Sequence, residues 1–297
     1  MLIDTMQGEP LLQWSDPIKE FIGFAGLFLS AGGIGFRFSA LRGPAVESDQ
    51  RFYDDAARRA AGIGLFGVVL TAILVCVELP GLAARKHLGV LSFAASDKPT
   101  MLEIDFLVLA VIGYALAASR VRIGWVLAAI GVIAGALRLV FLGQWSRLVN
   151  PVHSLAAGLW IGTLFVLVVA GLASLLRDEP SRARRGDIAA DMVNRFSPLA
   201  LTMGGIVVVF GVITAWRHLH VLSNLWSTPY GDALIVKLLF AASVFLLGAW
   251  NWRRQRPTLG TEEAAVSVRR SATGELAMAV LVLVATAIVV SLPSPKG

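Results

Sequence analysis

The chain has 297 residues, of which 56% are hydrophobic and only 15% charged, and its mean hydropathy is +0.72. A water-soluble domain of this size could not carry that composition without aggregating, so the chain reads as an integral membrane protein. Its formal charge of +6 is a product of how arginine and lysine are distributed about the membrane, and it indicates no nucleic-acid partner.

A helix needs about 20 apolar residues to cross the hydrocarbon of a bilayer, because unpaired backbone amides cannot be left in lipid. Eight segments qualify, near 19–38, 60–79, 102–118, 121–143, 153–177, 197–217, 230–252 and 272–292. They predict an all-α, polytopic transmembrane bundle that divides into an N-terminal four-span half, 1–150, and a C-terminal four-span half, 151–297, with no residue-level repeat between them. The leader before the first span is acidic (Asp4, Glu9, Asp16), which argues against a cleaved signal peptide, since those open on a basic stretch. Leu41-Arg-Gly-Pro44, Glu78-Leu-Pro-Gly81 and Thr228-Pro-Tyr-Gly231 read as turns that close spans. Gly32-Gly-Ile-Gly35 and Gly204-Gly205 mark faces where a neighbouring helix can approach closely.

Orientation follows from the basic residues, since cationic loops are retained in the cytoplasm. The four loops that share one side hold Arg37, Arg42, Arg51, Arg58, Arg59, Arg120, Arg122, Arg177, Arg182, Arg184, Arg185, Arg195, Arg253, Arg254, Arg256, Arg269 and Arg270, which is 17 of the 26 basic residues. Both termini are therefore expected on the periplasmic side of a bacterial inner membrane. Tryptophan, whose amphipathic ring favours the lipid headgroup level, fits this layout. Trp14, Trp145, Trp216 and Trp226 fall at predicted outer ends and Trp125, Trp250 and Trp252 at inner ends, whereas Trp160 lies within span five and is expected to pack against another helix.

All four histidines fall on the side opposite the arginines: His87 after span two, His153 opening span five, and His218 and His220 closing span six. Imidazole binds Cu(II) and Zn(II) well, and an oxidising compartment is where the cupric ion is met. His218 and His220 cannot share one helical face, being about 200° apart, but they converge where a chain becomes extended at a helix end. At the same depth Met101, Glu103 and Asp105 open span three, Cys76 and Glu78 close span two, and Met6 lies in the leader. Carboxylates and imidazoles for Cu(II), with thioether and thiol for Cu(I), make a candidate copper-collecting mouth. The competing account makes the histidines and carboxylates ordinary interfacial groups bonded to water and headgroups, and makes Cys76 a packing residue.

Two cations lie inside spans, Arg138 and the deeper Lys237. In lipid each needs a partner or must reach back to the interface. Asp105, Glu78 and Asp232 are the carboxylates at comparable depth. No carboxylate sits near the centre of a span, and Met203 is the mid-membrane thioether, a stepping-stone for Cu(I) or a core filler. The single cysteine excludes an internal disulfide and any CxxC motif. Phosphate-binding glycine loops, a GxSxG elbow and HExxH are all absent, so no enzyme activity is expected.

The run His153-Ser-Leu-Ala-Ala-Gly-Leu-Trp160-Ile-Gly162, then Arg195-Phe-Ser197-Pro-Leu-Ala200, Thr228-Pro-Tyr-Gly231, Lys237-Leu-Leu and Asn251-Trp-Arg-Arg254 resembles the membrane domain of the bacterial copper resistance protein D (CopD) family. The resemblance covers about residues 153–256, and it implies an inner-membrane protein that moves copper between periplasm and cytoplasm, usually inward. It also implies a small periplasmic copper carrier of the CopC type as partner. His153, Trp160 and Lys237 lie within the resembling motifs, so the resemblance makes Lys237 and Trp160 candidates for the ion's path, while Met203 as a further candidate on that path, and His218 and His220, rest on their chemistry alone. Two other readings stay open, a membrane haem protein whose axial pair would be His153 and His218, and a copper-holding accessory subunit that does not transport.

Overall fold

In the computed structural model, residues 5–6, 9–10, 12–43, 47–177, 184–255 and 261–295 are described. Pro44, Arg182, Arg256 and the side chain of Met6 lie outside them. A two-residue hairpin pairs Thr5–Met6 with Glu9–Pro10, and all else is helix and connection. The helices are α1 (Ser15–Phe38), α2 (Gln50–Arg85), α3 (Val90–Ser96), α4 (Lys98–Ala118) and α5 (Ile123–Ala136). Next comes a single rod in which α6 (Val149–Ala157), α7 (Thr163–Val166) and α8 (Ala173–Leu175) are joined by π-helical stretches at Gly158–Gly162 and Leu167–Leu172. It is followed by α9 (Arg185–Leu219), α10 (Asn224–Ser227), α11 (Pro229–Gln255) and α12 (Glu262–Ser291).

Among the described residues seven helices, counting the rod as one, are long and apolar enough to cross a membrane. The remaining expected span is α5, of 14 residues. It breaks at Leu137 and runs on as a 3-10 turn over Arg138–Leu142, the two pieces together covering about 30 Å. Span four is thus a bent element and not one helix over 121–143.

Several predicted boundaries move. Pro80 lies inside α2 and Pro198 inside α9, so Glu78-Leu-Pro-Gly81 is helix and not a turn. The 36 residues of α2 reach about 54 Å, well beyond the roughly 30 Å of a bilayer's hydrocarbon. At Thr228-Pro-Tyr-Gly231 only Thr228 is extended, and Pro229 opens α11, where its fixed φ and missing N–H cost nothing. Arg195, expected in a loop, sits ten residues inside α9. The start of α4 is fixed by Asp97, whose carboxylate accepts from the Thr100 amide at 3.2 Å and its hydroxyl at 2.7 Å.

The core forms where small residues let backbones meet. On α1, Gly32 lies against the backbone of Gly162 in the rod, and Gly35 against Thr163. Any side chain at Gly162 would strike the carbonyl of Phe28. Gly33 and Gly64 make room for the ring of Tyr114 from α4, which is fully buried and donates its hydroxyl to the Ser30 carbonyl. Trp125 stands edge-on to Tyr114 with ring centroids 5.9 Å apart and is only 6% exposed. It is therefore a core residue and not the interfacial anchor expected. Of the predicted glycine pair on α9, Gly204 meets Trp160 and Phe245, whereas Gly205 faces open space. Because α1 packs against α2, the rod and α12 together, the two halves share one core.

The two ends of the bundle differ. At one end Leu12, Leu219, Tyr230, Leu234, Val289 and Leu292 cluster, so the segment before α1 and the segment after α12 meet at the same face as the end of α9. At the other end arginines clamp neighbouring elements together. Arg184 pairs with Asp49 at 2.5 Å and Arg120 with Asp55 at 3.1 Å, whereas Arg195 pairs within α9, with Asp191 at 2.9 Å. Arg195 also donates to the Gly43 carbonyl at 2.8 Å, and Tyr53 to Asp191 at 3.3 Å.

Candidate metal site at the histidine-bearing face

The C-terminal end of α9 is laced to the start of the rod by polar contacts that descend in antiparallel register. Arg217 donates to the Ser146 carbonyl at 2.8 Å, Thr214 donates to the Asn150 side chain at 2.9 Å, and His153 bonds the Val207 carbonyl through Nδ1 at 3.0 Å. The half-buried His153 ring lies on Gly211, where an added Cβ would come within 3.0 Å of Cε1. His218 repeats the arrangement one level up, its Nδ1 on the Thr214 carbonyl at 2.8 Å and its ring stacked on Tyr230 with centroids 6.1 Å apart.

These two bonds have a chemical consequence. A carbonyl oxygen accepts and cannot donate, so in each neutral imidazole the proton is on Nδ1 and the Nε2 lone pair is left for a metal. The carbonyl also holds the ring's orientation, as partners of metal-ligating histidines do. The rings are tied to carbonyls seven residues apart, about 10 Å along α9. That separation does not suit an axial haem pair, whose imidazoles must face each other across one iron.

The other predicted ligands are dispersed. His220 ends α9 at φ 57°, where the chain turns left-handed and does not become extended, so His218 and His220 do not converge. His87 sits at φ 55° in the turn after α2 and is exposed. Cys76 and Glu78 are exposed on α2, and Met101 and Asp105 are exposed on α4. Glu103 is engaged otherwise, in an ion pair with Arg138 at 3.0 Å. That pairing corrects the expectation that Asp105, Glu78 or Asp232 would serve Arg138: after the break at Leu137 Arg138 meets α4 at Glu103, whereas Asp105 lies about 200° around that helix and Glu78 and Asp232 are on α2 and α11. Among the described residues no three His, Cys, Asp or Glu side chains gather closely enough to hold a metal ion.

Deeper than His153, Trp160 packs on Phe245 of α11 with ring centroids 4.6 Å apart and lies over Gly204, as expected of a helix-packing residue. Met203, next to Gly204, is half-buried. Lys237 of α11 lies within electrostatic reach of His153 and forms no ion pair among the described residues. Sequence reasoning missed the Val207 and Thr214 carbonyls, which no residue type announces. It also missed Glu20 on α1, which lies within electrostatic reach of Glu78.

The family model of Copper resistance protein D matches residues 190–289. That stretch is α9, α11 and most of α12, and it includes Lys237, His218 and Arg195-Phe-Ser197-Pro-Leu-Ala200 but begins after His153 and Trp160. The Copper transport protein CutJ of Bacillus subtilis is 31% identical over 151 residues, a span that is 50% of this chain and 25% of that protein. The chain thus spans about a quarter of the length of that curated relative. No solved structure matches it. The bundle described above is accordingly that of a multi-pass membrane protein whose residues 190–289 match the family model of Copper resistance protein D.

Proposed function

We propose that the protein transports copper across the bacterial inner membrane, from periplasm to cytoplasm, and so contributes to copper homeostasis or resistance. The observation that carries the reading is the pair of imidazoles gathered on α9, His153 from the rod and His218 from α9 itself: each spends Nδ1–H on a carbonyl of α9 and keeps Nε2 for an ion. The ion, as Cu(II) or Cu(I), is cargo. It is captured at the histidine-bearing face by His218 and passed to His153, with His220, Glu78, Glu103, Asp105, Met101 and Cys76 as outlying donors on the same side. Met203 and the Trp160–Phe245 contact line the way inward. The face is periplasmic because its opposite carries the arginine clamps, and a CopC-type carrier is the partner that would deliver the ion there.

Lys237 suits transport better than storage. A site that passes an ion on must bind it weakly enough to release it, and an ammonium within electrostatic reach of His153 opposes a cation resting there. Lys237→Met keeps the length and apolar stem but removes the charge. With equal expression, the variant should bind copper at least as tightly as wild type in isothermal titration while cells accumulate markedly less of it. Wild-type accumulation by this variant would remove Lys237 from the mechanism, and copper binding without any uptake by the wild-type chain would favour a non-transporting accessory subunit.

A further inference from the structure

At the arginine-rich face a cleft of about 290 Å³ opens between α2 and the rod, lined by Arg59, Val169, Ser174 and Arg177. It owes nothing to the histidine site, which lies at the other end of the bundle. Several arginines of this face are already held: Arg120, Arg184 and Arg195 by Asp55, Asp49 and Asp191, and Arg37 and Arg42 by the carbonyls of Leu41 and Phe38. Arg59 and Arg177 are set apart by their placement on one cleft. Both are exposed, neither has a hydrogen bond or ion pair among the described residues, and they converge on one cleft that no described carboxylate lines. The rod carbonyl nearest its end, that of Leu175, is taken up by Arg185 Nε at 3.2 Å, so the unfavourable helix C-terminus presents less negative charge to an anion.

We infer that this cleft binds the phosphate headgroup of an anionic glycerophospholipid, with Arg59 and Arg177 straddling the phosphate and Ser174 at its side. What selects a lipid over free phosphate is the surface directly beneath. Residues 59, 66 and 69 fall on one stripe of α2, and below Arg59 that stripe exposes Phe66 at 58% and Val69 at 39%, while Val169 of the rod, which lines the cleft, is 42% exposed. A cationic pocket at headgroup depth that continues into an apolar groove between two helices offers sites for both parts of a phospholipid.

Native mass spectrometry of the full chain in detergent, titrated with phosphatidylglycerol, phosphatidylcholine or inorganic phosphate, tests this. Phosphatidylglycerol should be retained in preference to phosphatidylcholine, and inorganic phosphate should neither bind detectably nor displace it. Arg59→Gln and Arg177→Gln should each weaken retention about fivefold, the factor for one cation at an anionic lipid surface. Arg59→Lys and Arg177→Lys, which keep the charge, should retain most of the binding and show that the exposed positions tolerate change. Arg58→Gln, on the neighbouring face of α2, should change nothing. Equal retention of both lipids, an unaltered double Gln variant, an equal loss in Arg58→Gln, or displacement by inorganic phosphate would each overturn the assignment.

Discussion

At His153 one hydrogen bond and one glycine together decide what the imidazole can do. The Val207 carbonyl takes the Nδ1 proton at 3.0 Å, and Gly211 leaves the ring the space it occupies. Removing the ligand and disturbing its support should therefore act in the same direction. His153→Ala should lower copper affinity, and Gly211→Val, which keeps the histidine but pushes its ring off the carbonyl, should lower it on the order of tenfold or more, the usual cost of losing an orienting partner. His87→Ala, in an exposed turn remote from both rings, should leave affinity unchanged. Isothermal titration with Cu(II), and with Cu(I) under reducing conditions, measures all three. Unchanged affinity in both His153→Ala and Gly211→Val would return His153 to an interfacial role. The same residue scale explains why the site was only half legible: side-chain type and depth pointed to the histidines, but the backbone oxygens that choose their tautomer appear only once α9 is laid against the rod.

Between elements, the closest contact is that of α1 with the rod, and it rests on glycine at both sides. A Cβ at Gly162 meets the Phe28 carbonyl, whereas one at Gly205 meets nothing within 4 Å. Alanine is the better helix former by about 1 kcal/mol, so Gly205→Ala should be neutral or stabilising. Gly162→Ala has the same intrinsic gain but must push backbones apart, a cost of about 1–3 kcal/mol for an overpacked contact. Opposite signs in thermal unfolding of the two variants in detergent are expected, and equal shifts would mean that the α1–rod contact is not a tight one. Gly32 and Gly35 were readable as a close-packing face because they repeat along one helix. Their partner Gly162 was not, since a pair on different spans leaves no mark in the order of residues. The misread turn at Pro80 has another origin. Turn chemistry learned from soluble chains treats proline as a stop, yet α2 continues through it, as membrane helices do where neighbours and local adjustment satisfy the freed carbonyl. Arg138 was misassigned for a related reason: a partner chosen by depth alone ignores the bend at Leu137 that carries the guanidinium to Glu103.

For the molecule as a whole, the count of passes and the placement of the termini are one question. An odd number of crossings would put the two chain ends on opposite faces, but Leu12 and Leu292 share a cluster with Leu219 and Tyr230 at one end of the bundle. We propose that α5 and the turn after it make an eighth crossing and so an even count, because the Arg217 contact holds Ser146 at the end where α9 finishes, while Arg120 just before α5 is paired with Asp55 at the arginine-rich end. Cationic loops stay in the cytoplasm, so orientation is testable with thiols once Cys76 is replaced by serine. In intact spheroplasts, single cysteines at exposed positions in Ser146→Cys and Leu222→Cys should react with a membrane-impermeant maleimide. Those in Ser48→Cys and Ser119→Cys should react only after the membrane is opened. Protection of Ser146→Cys together with reaction of Leu222→Cys would reduce the bent span to a re-entrant element. The fully reversed pattern would place His153 and His218 in the reducing cytoplasm, where the ion they meet is Cu(I), and would turn capture and inward transport into acceptance from the cell and export.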